Sequence, residues 1–164
     1  MSTIVFLLEE ESAQELLQVI VPQMVRPEVT VRYITFEGKQ DLEQEIVRKL
    51  RLWRTPHTSF IILRDQDAGN CKEVKQCLLD LVHKSGKMKN SLVRIACHEL
   101  ESFYLGDLEA VARGLNLPNL GKLQKKALYR SPDDIANASE QLKKITNKKY
   151  RKISGSRAIA RFMK

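Results

Sequence analysis

Four short apolar runs, each followed by a segment of helical period, fix what this chain can fold into. Residues 3–8 (Thr-Ile-Val-Phe-Leu-Leu), 29–36, 59–63 and 92–97 have the length and the β-branched or aromatic content of strands. Ser12 is placed to cap a helix running to about Met24, with Leu16, Leu17, Ile20 and Val21 on one face. Leu42, Ile46, Leu50 and Trp53 recur at helical spacing over 41–53, as do Val74, Leu78, Leu81 and Val82 over 71–83, where Gly86 closes the turn. Strand and helix alternating in this way predict an α/β fold: a parallel sheet of about four strands, flanked by helices and joined by right-handed crossovers.

Beyond His98 the pattern becomes helical. Segments 99–105 and 108–114 precede a Pro/Gly-marked break at 117–121. Ser131-Pro132 reads as cap and first helical residue of a helix reaching Thr146. The stretch 150–164 carries Ile153, Ile159 and Phe162 with no stop signal, as though the chain were cut within its last helix. The expected organisation is an α/β domain over 1–106 and a helical, basic extension over 107–164 packed on it.

Charge divides along the same line. From Lys122 to Lys164 there are 13 Lys and Arg against 3 acids, leaving 15 basic and 17 acidic groups among the other 121 residues. A near-neutral body with a basic tail suggests a polyanionic partner, the plain alternative being a solubilising helix surface. The run Lys143-Lys144 to Lys148-Lys149-Tyr150-Arg151-Lys152, with Arg157 beyond it, offers phosphate contacts and one aromatic able to stack on a base. Lys148, Lys149, Tyr150, Lys152 and Arg157 are therefore the candidate nucleic-acid contacts. No base-reading motif accompanies them, so the expected binding is largely sequence-neutral.

The strands end in acid. Glu9 follows the first, Asp65-Gln66-Asp67 the third, and Glu99-Leu100-Glu101 the fourth. In open parallel sheets the binding crevice lies at the carboxyl ends of the strands, so these acids belong in one small volume. Close buried carboxylates repel unless a cation offsets them. A hard divalent ion, Mg²⁺ or Mn²⁺, is the matching cofactor, held by one or two carboxylates with water and substrate oxygens. Glu9, Asp65, Asp67 and Glu101 are the candidate ligands, with Glu99 a weaker one; Glu9 could instead act as general base. The plain alternative makes Asp65–Asp67 a turn and Glu99 and Glu101 compensation of a helix dipole.

Other classes lack their residues. There is no Gly-x-Ser-x-Gly, no Gly-x4-Gly-Lys-Ser/Thr and no Gly-x-Gly-x2-Gly. Cys71, Cys77, Cys97, His83 and His98 fit no compact zinc spacing. Three cysteines without framework spacing read as reduced thiols, hence a cytoplasmic protein. The opening has no basic leader, and no apolar run is long enough to span a membrane.

These residues resemble the Toprim-like family of topoisomerases, primases and overcoming-lysogenization-defect-type nucleases, where a glutamate follows the first strand and an Asp-x-Asp a later one. Leu8-Glu9-Glu10-Glu11-Ser12 stands where such proteins have Val-Glu-Gly-x-Ser/Thr, so Glu10 occupies the usual glycine position and adds bulk and charge. Glu99-Leu-Glu101-Ser-Phe-Tyr-Leu-Gly-Asp107 and the ending from Lys149 to Ala160 resemble a small bacterial family encoded beside chromosome-maintenance or ABC-type ATPases. The resemblance implies a Toprim/Rossmann-like fold and a metal-dependent nuclease acting with an ATPase partner, in a setting suggestive of phage defence. A non-catalytic regulatory subunit of an ATPase system and, less so, a phosphatase with Asp65 as nucleophile are its alternatives. A homodimer is open.

Overall fold

The computed structural model describes residues 2–164. Its frame is a four-stranded, all-parallel sheet in the order β2-β1-β3-β4. The strands are β1 (Thr3–Leu8), β2 (Thr30–Thr35), β3 (Thr58–Asp65) and β4 (Ser91–Ala96). Helices α1 (Glu11–Ile20), α2 (Lys39–Leu52) and α3 (Cys71–Ser85) connect them, and α4 (Glu101–Leu105), α5 (Leu108–Gly114), α6 (Ala138–Ile145) and α7 (Lys152–Ala160) follow. β1 pairs with β2 from Thr3↔Thr30 to Leu8↔Thr35, and with β3 from Thr3↔Thr58 to Leu8↔Leu63. The expected α/β architecture is what the chain adopts. No helix among the described residues is long and apolar enough to cross a membrane.

Alternation along each strand divides the core in two. Val5, Leu7, Phe60, Ile62 and Val93 face Leu42, Ile46 and Leu50 of α2 and Leu78 and Val82 of α3. Phe6, Leu8, Leu63 and Ala96 face the other way, against α1 and against Tyr104, Leu108, Val111, Leu142 and Ile159 from the C-terminal helices. The sheet and the C-terminal region thus share one core. α1 and α2 lie on opposite faces, so the connections leaving β1 toward β2, and β2 toward β3, diverge. The gap between the carboxyl ends of β1 and β3 is the topological switch point, the usual place for a ligand.

Several boundaries move for local reasons. Ser12 is the second residue of α1, not its cap, and its hydroxyl donates to Glu10. Pro22 tightens the end of that helix into a 3₁₀ turn at Val21–Gln23. Pro132 opens only a 3₁₀ turn, because Ile135 becomes extended (φ −87°, ψ 99°) and buries its side chain. The helix begins instead at Ala138, where the Glu99 carboxylate accepts the Ser139 N–H at 2.7 Å. The last helix starts at Lys152, after Tyr150, and ends at Ala160. Gly86 does close α3, in the left-handed region at φ 78°.

Gly114 shows how tightly α5 meets α7. A Cβ there would stand 2.8 Å from the Ala158 carbonyl oxygen and from Ile159 Cα, both backbone atoms that cannot swing aside. Alanine normally strengthens a helix position by ~1 kcal/mol. At Gly114 we expect the opposite, a loss of roughly 1–3 kcal/mol from overpacking. Urea unfolding of Gly114→Ala checks the sign.

Candidate active site

The acids meet at the switch point because the backbone carries them there. Glu9 leaves β1 with its N–H on the Leu63 carbonyl (3.3 Å), and its Oε2 accepts the Asp65 N–H (3.0 Å). Asp65 is the last residue of β3, registered against Ala96. Beyond it the two loops are laced together. Gln66 N–H donates to the Ala96 carbonyl (3.0 Å), Asp67 N–H to the His98 carbonyl (2.7 Å), and His98 N–H to Gln66 Oε1 (3.2 Å). Asp67 and His98 both have positive φ, 55° and 57°. Such conformations persist where surrounding bonds over-determine them. The lacing leads the chain into α4, whose first residue, Glu101, is only 1% exposed.

Burial is the main influence on the ionisation of these acids, with their mutual charge second to it. Burial pushes the Asp65 carboxyl up to about 8, helped by the charges of Glu9, Glu10 and Glu101 and opposed by a backbone bond from Leu100. Burial also raises Glu9; the bond from Asp65 N–H opposes this, and the Asp67 charge adds to it. Burial raises Glu101, against the pull of Lys152 and the Tyr150 hydroxyl, which donates to its Oε1 at 3.0 Å. Glu101 Oε2 is buried without a partner. Asp67 is nearby, but its carboxylate is held by Lys39 Nζ at 3.0 Å. Arg64, 7% exposed, pairs with Glu43 and lies 4.0 Å from Glu9.

Among the described residues no group of three or more His, Cys, Asp or Glu forms a ready-made metal cage. Mg²⁺ does not need one, since a carboxylate or two with water and substrate oxygens suffices. The residues present fit a cation: Glu101 carries a buried carboxylate oxygen without a partner, and Asp65, whose carboxyl is raised by burial and then by neighbouring acids, has no ion-pair partner among the described residues. Glu9 accepts the Asp65 N–H at the ends of β1 and β3, Glu101 opens α4 after β4, Asp67 is held by Lys39, and Glu99 accepts the Ser139 N–H at the start of α6.

The basic candidates separate. Lys148 and Lys149 are exposed in the turn after α6. Tyr150 is 2% exposed with its hydroxyl on Glu101, so it supports the acid site and cannot stack on a base. Arg157 makes two hydrogen bonds to Glu15 of α1, one of them 2.7 Å, and so ties α7 to α1 while its side chain stays exposed. Lys152 reaches into the site, 2.6 Å from Glu10. Sequence reasoning missed Lys39, Arg64, Ser12, Tyr104 and Ser156. One signal was available: Gly155 lies five residues after Tyr150, and a Cβ there would come within 2.7 Å of the tyrosine ring.

A family model described as a domain of unknown function (DUF4276) matches residues 8–164, from before Glu9 through α7. No curated protein and no solved structure matches the chain.

The raised Asp65 pKa predicts a pH effect. The native state keeps this proton between about pH 4 and 8 while the unfolded chain has lost it, so stability falls as pH rises through that window. In chelator at pH 8, Asp65→Asn should be more stable than wild type by roughly 2 kcal/mol, with the gap closing toward pH 4. Parallel pH profiles in urea unfolding would contradict this placement of Asp65.

Proposed function

We propose that this chain, which belongs to the DUF4276 family, is a divalent-metal-dependent nuclease that cleaves phosphodiester bonds at the switch-point acids. The observation carrying the reading is the Glu9 carboxylate bonded to the Asp65 N–H at the ends of β1 and β3, with Glu101 Oε2 buried and unpartnered at the start of α4. Glu9, Asp65 and Glu101 would hold Mg²⁺ or Mn²⁺, joined by Asp67 on release from Lys39. Bound there, the cation would supply Lewis acidity to the phosphoryl group. Glu9 is the group able to accept a proton from an attacking water, because the Asp65 N–H already orients its carboxylate. Exposed Lys143, Lys144, Lys148 and Lys149 form a basic surface that would attract the polyanion without reading bases. The Toprim resemblance supports the same chemistry, and the resemblance of Glu99–Asp107 and the C-terminal stretch to a family encoded beside ATPases makes an ATPase the proposed partner.

One observation favours a second reading, a non-catalytic regulatory subunit. Lys39 and Lys152 already neutralise Asp67 and Glu10, as a site retired from catalysis would require. Cleavage of plasmid, single-stranded DNA and RNA with Mn²⁺ separates the two. Asp65→Asn should lose roughly a hundredfold or more of the rate. Cleavage that persists in this variant, or that never appears for wild type, would remove the nuclease reading.

The basic surface makes a separate prediction. Lys148→Gln with Lys149→Gln should weaken binding alike for unrelated sequences and lower the slope of log affinity against log salt by about 2. An unchanged slope, measured by fluorescence anisotropy in chelator, would assign these lysines to solubility.

A further inference from the structure

Glu10 is held through both of its carboxylate oxygens, by a lysine and by a hydroxyl. It occupies the N-cap position of α1 in extended conformation (φ −153°, ψ 165°), yet its side chain does not cap the helix. Its Oε2 accepts from Lys152 Nζ at 2.6 Å, and its Oε1 accepts from the Ser12 hydroxyl at 2.6 Å. Lys152 is the first residue of α7, whose opening turn has no acidic residue and no side-chain cap. A lysine there opposes the helix dipole, a cost that a bound anion offsets. Burial would lower the Lys152 pKa, but the hydrogen bond and charge of Glu10, with Glu101 and Asp65 behind, raise it, so the ammonium stays charged.

A further donor near this place is unused. The Tyr104 side chain is fully buried, and its hydroxyl has no partner. Its ring lies 6.0 Å from that of Tyr150, whose own hydroxyl is 3.5 Å from Ser156 Oγ in the first turns of α7. A buried hydroxyl without a partner is destabilising, and a ligand oxygen accepting from it would recover that loss.

We propose that Lys152, Ser12 and the uncapped start of α1 form a phosphodiester cradle, which the Glu10 carboxylate fills until substrate displaces it. The inference rests on the phosphodiester reading and names the group that binds substrate at the same site. A carboxylate and a phosphodiester each carry one negative charge and present two acceptor oxygens. The exchange therefore leaves the charge beside Glu9, Asp65 and Glu101 unchanged, with the bonds from Lys152 and Ser12 passing to the two non-bridging oxygens. The Tyr104 hydroxyl is the donor available to an oxygen placed deeper. A phosphomonoester dianion would add a second charge next to buried acids, so the cradle selects diesters.

The test uses a fluorescent five-residue thymidine oligonucleotide in chelator, where cleavage cannot occur. Glu10→Gln should bind about tenfold more tightly than wild type, because the occupied fraction of the cradle no longer reduces apparent affinity. Glu11→Gln, the same charge change on the exposed neighbour, should move affinity less than about twofold. The gain from Glu10→Gln should vanish in a Lys152→Met background. Equal or weaker binding by Glu10→Gln, an equal gain from Glu11→Gln, or a gain surviving Lys152→Met would each overturn the cradle. Melting curves in chelator check the fold of every variant; Glu10→Ala and Lys152→Gln replace any that fails. Tighter binding by Glu10→Gln without metal-dependent cleavage would keep the cradle and remove the nuclease. Cleavage with no Glu10 effect would do the reverse.

Discussion

Setting β1 between β2 and β3 sends successive crossovers to opposite faces, and everything at the candidate site depends on that parting. It leaves the carboxyl ends of β1 and β3 side by side at a switch point, the usual place for a binding crevice. Glu9 and Asp65 lie on its two lips, joined by a hydrogen bond between the Glu9 carboxylate and the Asp65 backbone. The loop lacing through Gln66, Asp67 and His98 then brings Glu101 in from the β4 side. Each residue serves the sheet before it serves any chemistry, which is how these carboxylates can be held so close.

Repulsion among those acids decides the rest of the charge layout. The outer pair, Asp67 and Glu10, each have a lysine at the start of a helix, Lys39 on α2 and Lys152 on α7. The inner acids have less. Asp65 has no ion-pair partner among the described residues, and Glu101 has only the tyrosine hydroxyl on one oxygen. Burying like charges in this way costs stability unless something positive arrives. The proposed cation would relieve that cost.

The sheet and the acids at its edge were legible because both follow from period. A strand of apolar residues that stops at a carboxylate points that carboxylate toward the crevice, whatever the rest of the chain does. Tyr150 was not legible in that way. Its neighbours Lys148 and Lys149 are exposed, and nothing in a lysine-rich run distinguishes a buried tyrosine from one presented to a partner. Only the requirement for glycine at 155, under its ring, marks the difference. The ion pair of Arg157 with Glu15 was equally hidden, since the two are 142 residues apart. Ile135 shows the same limit for secondary structure: Ser131-Pro132 is a sound helix start locally, and burial of one isoleucine overrides it.

The central claim is that Glu9 and Asp65 hold a divalent cation at the switch point. Crystals grown with Mn²⁺ test it most directly, through the anomalous scattering of the metal. The account predicts a peak about 2.1–2.2 Å from carboxylate oxygens of Glu9 and Asp65, the distance of a hard-cation bond. A well-ordered site with no peak there, at Mn²⁺ concentrations that support cleavage or binding, would contradict it.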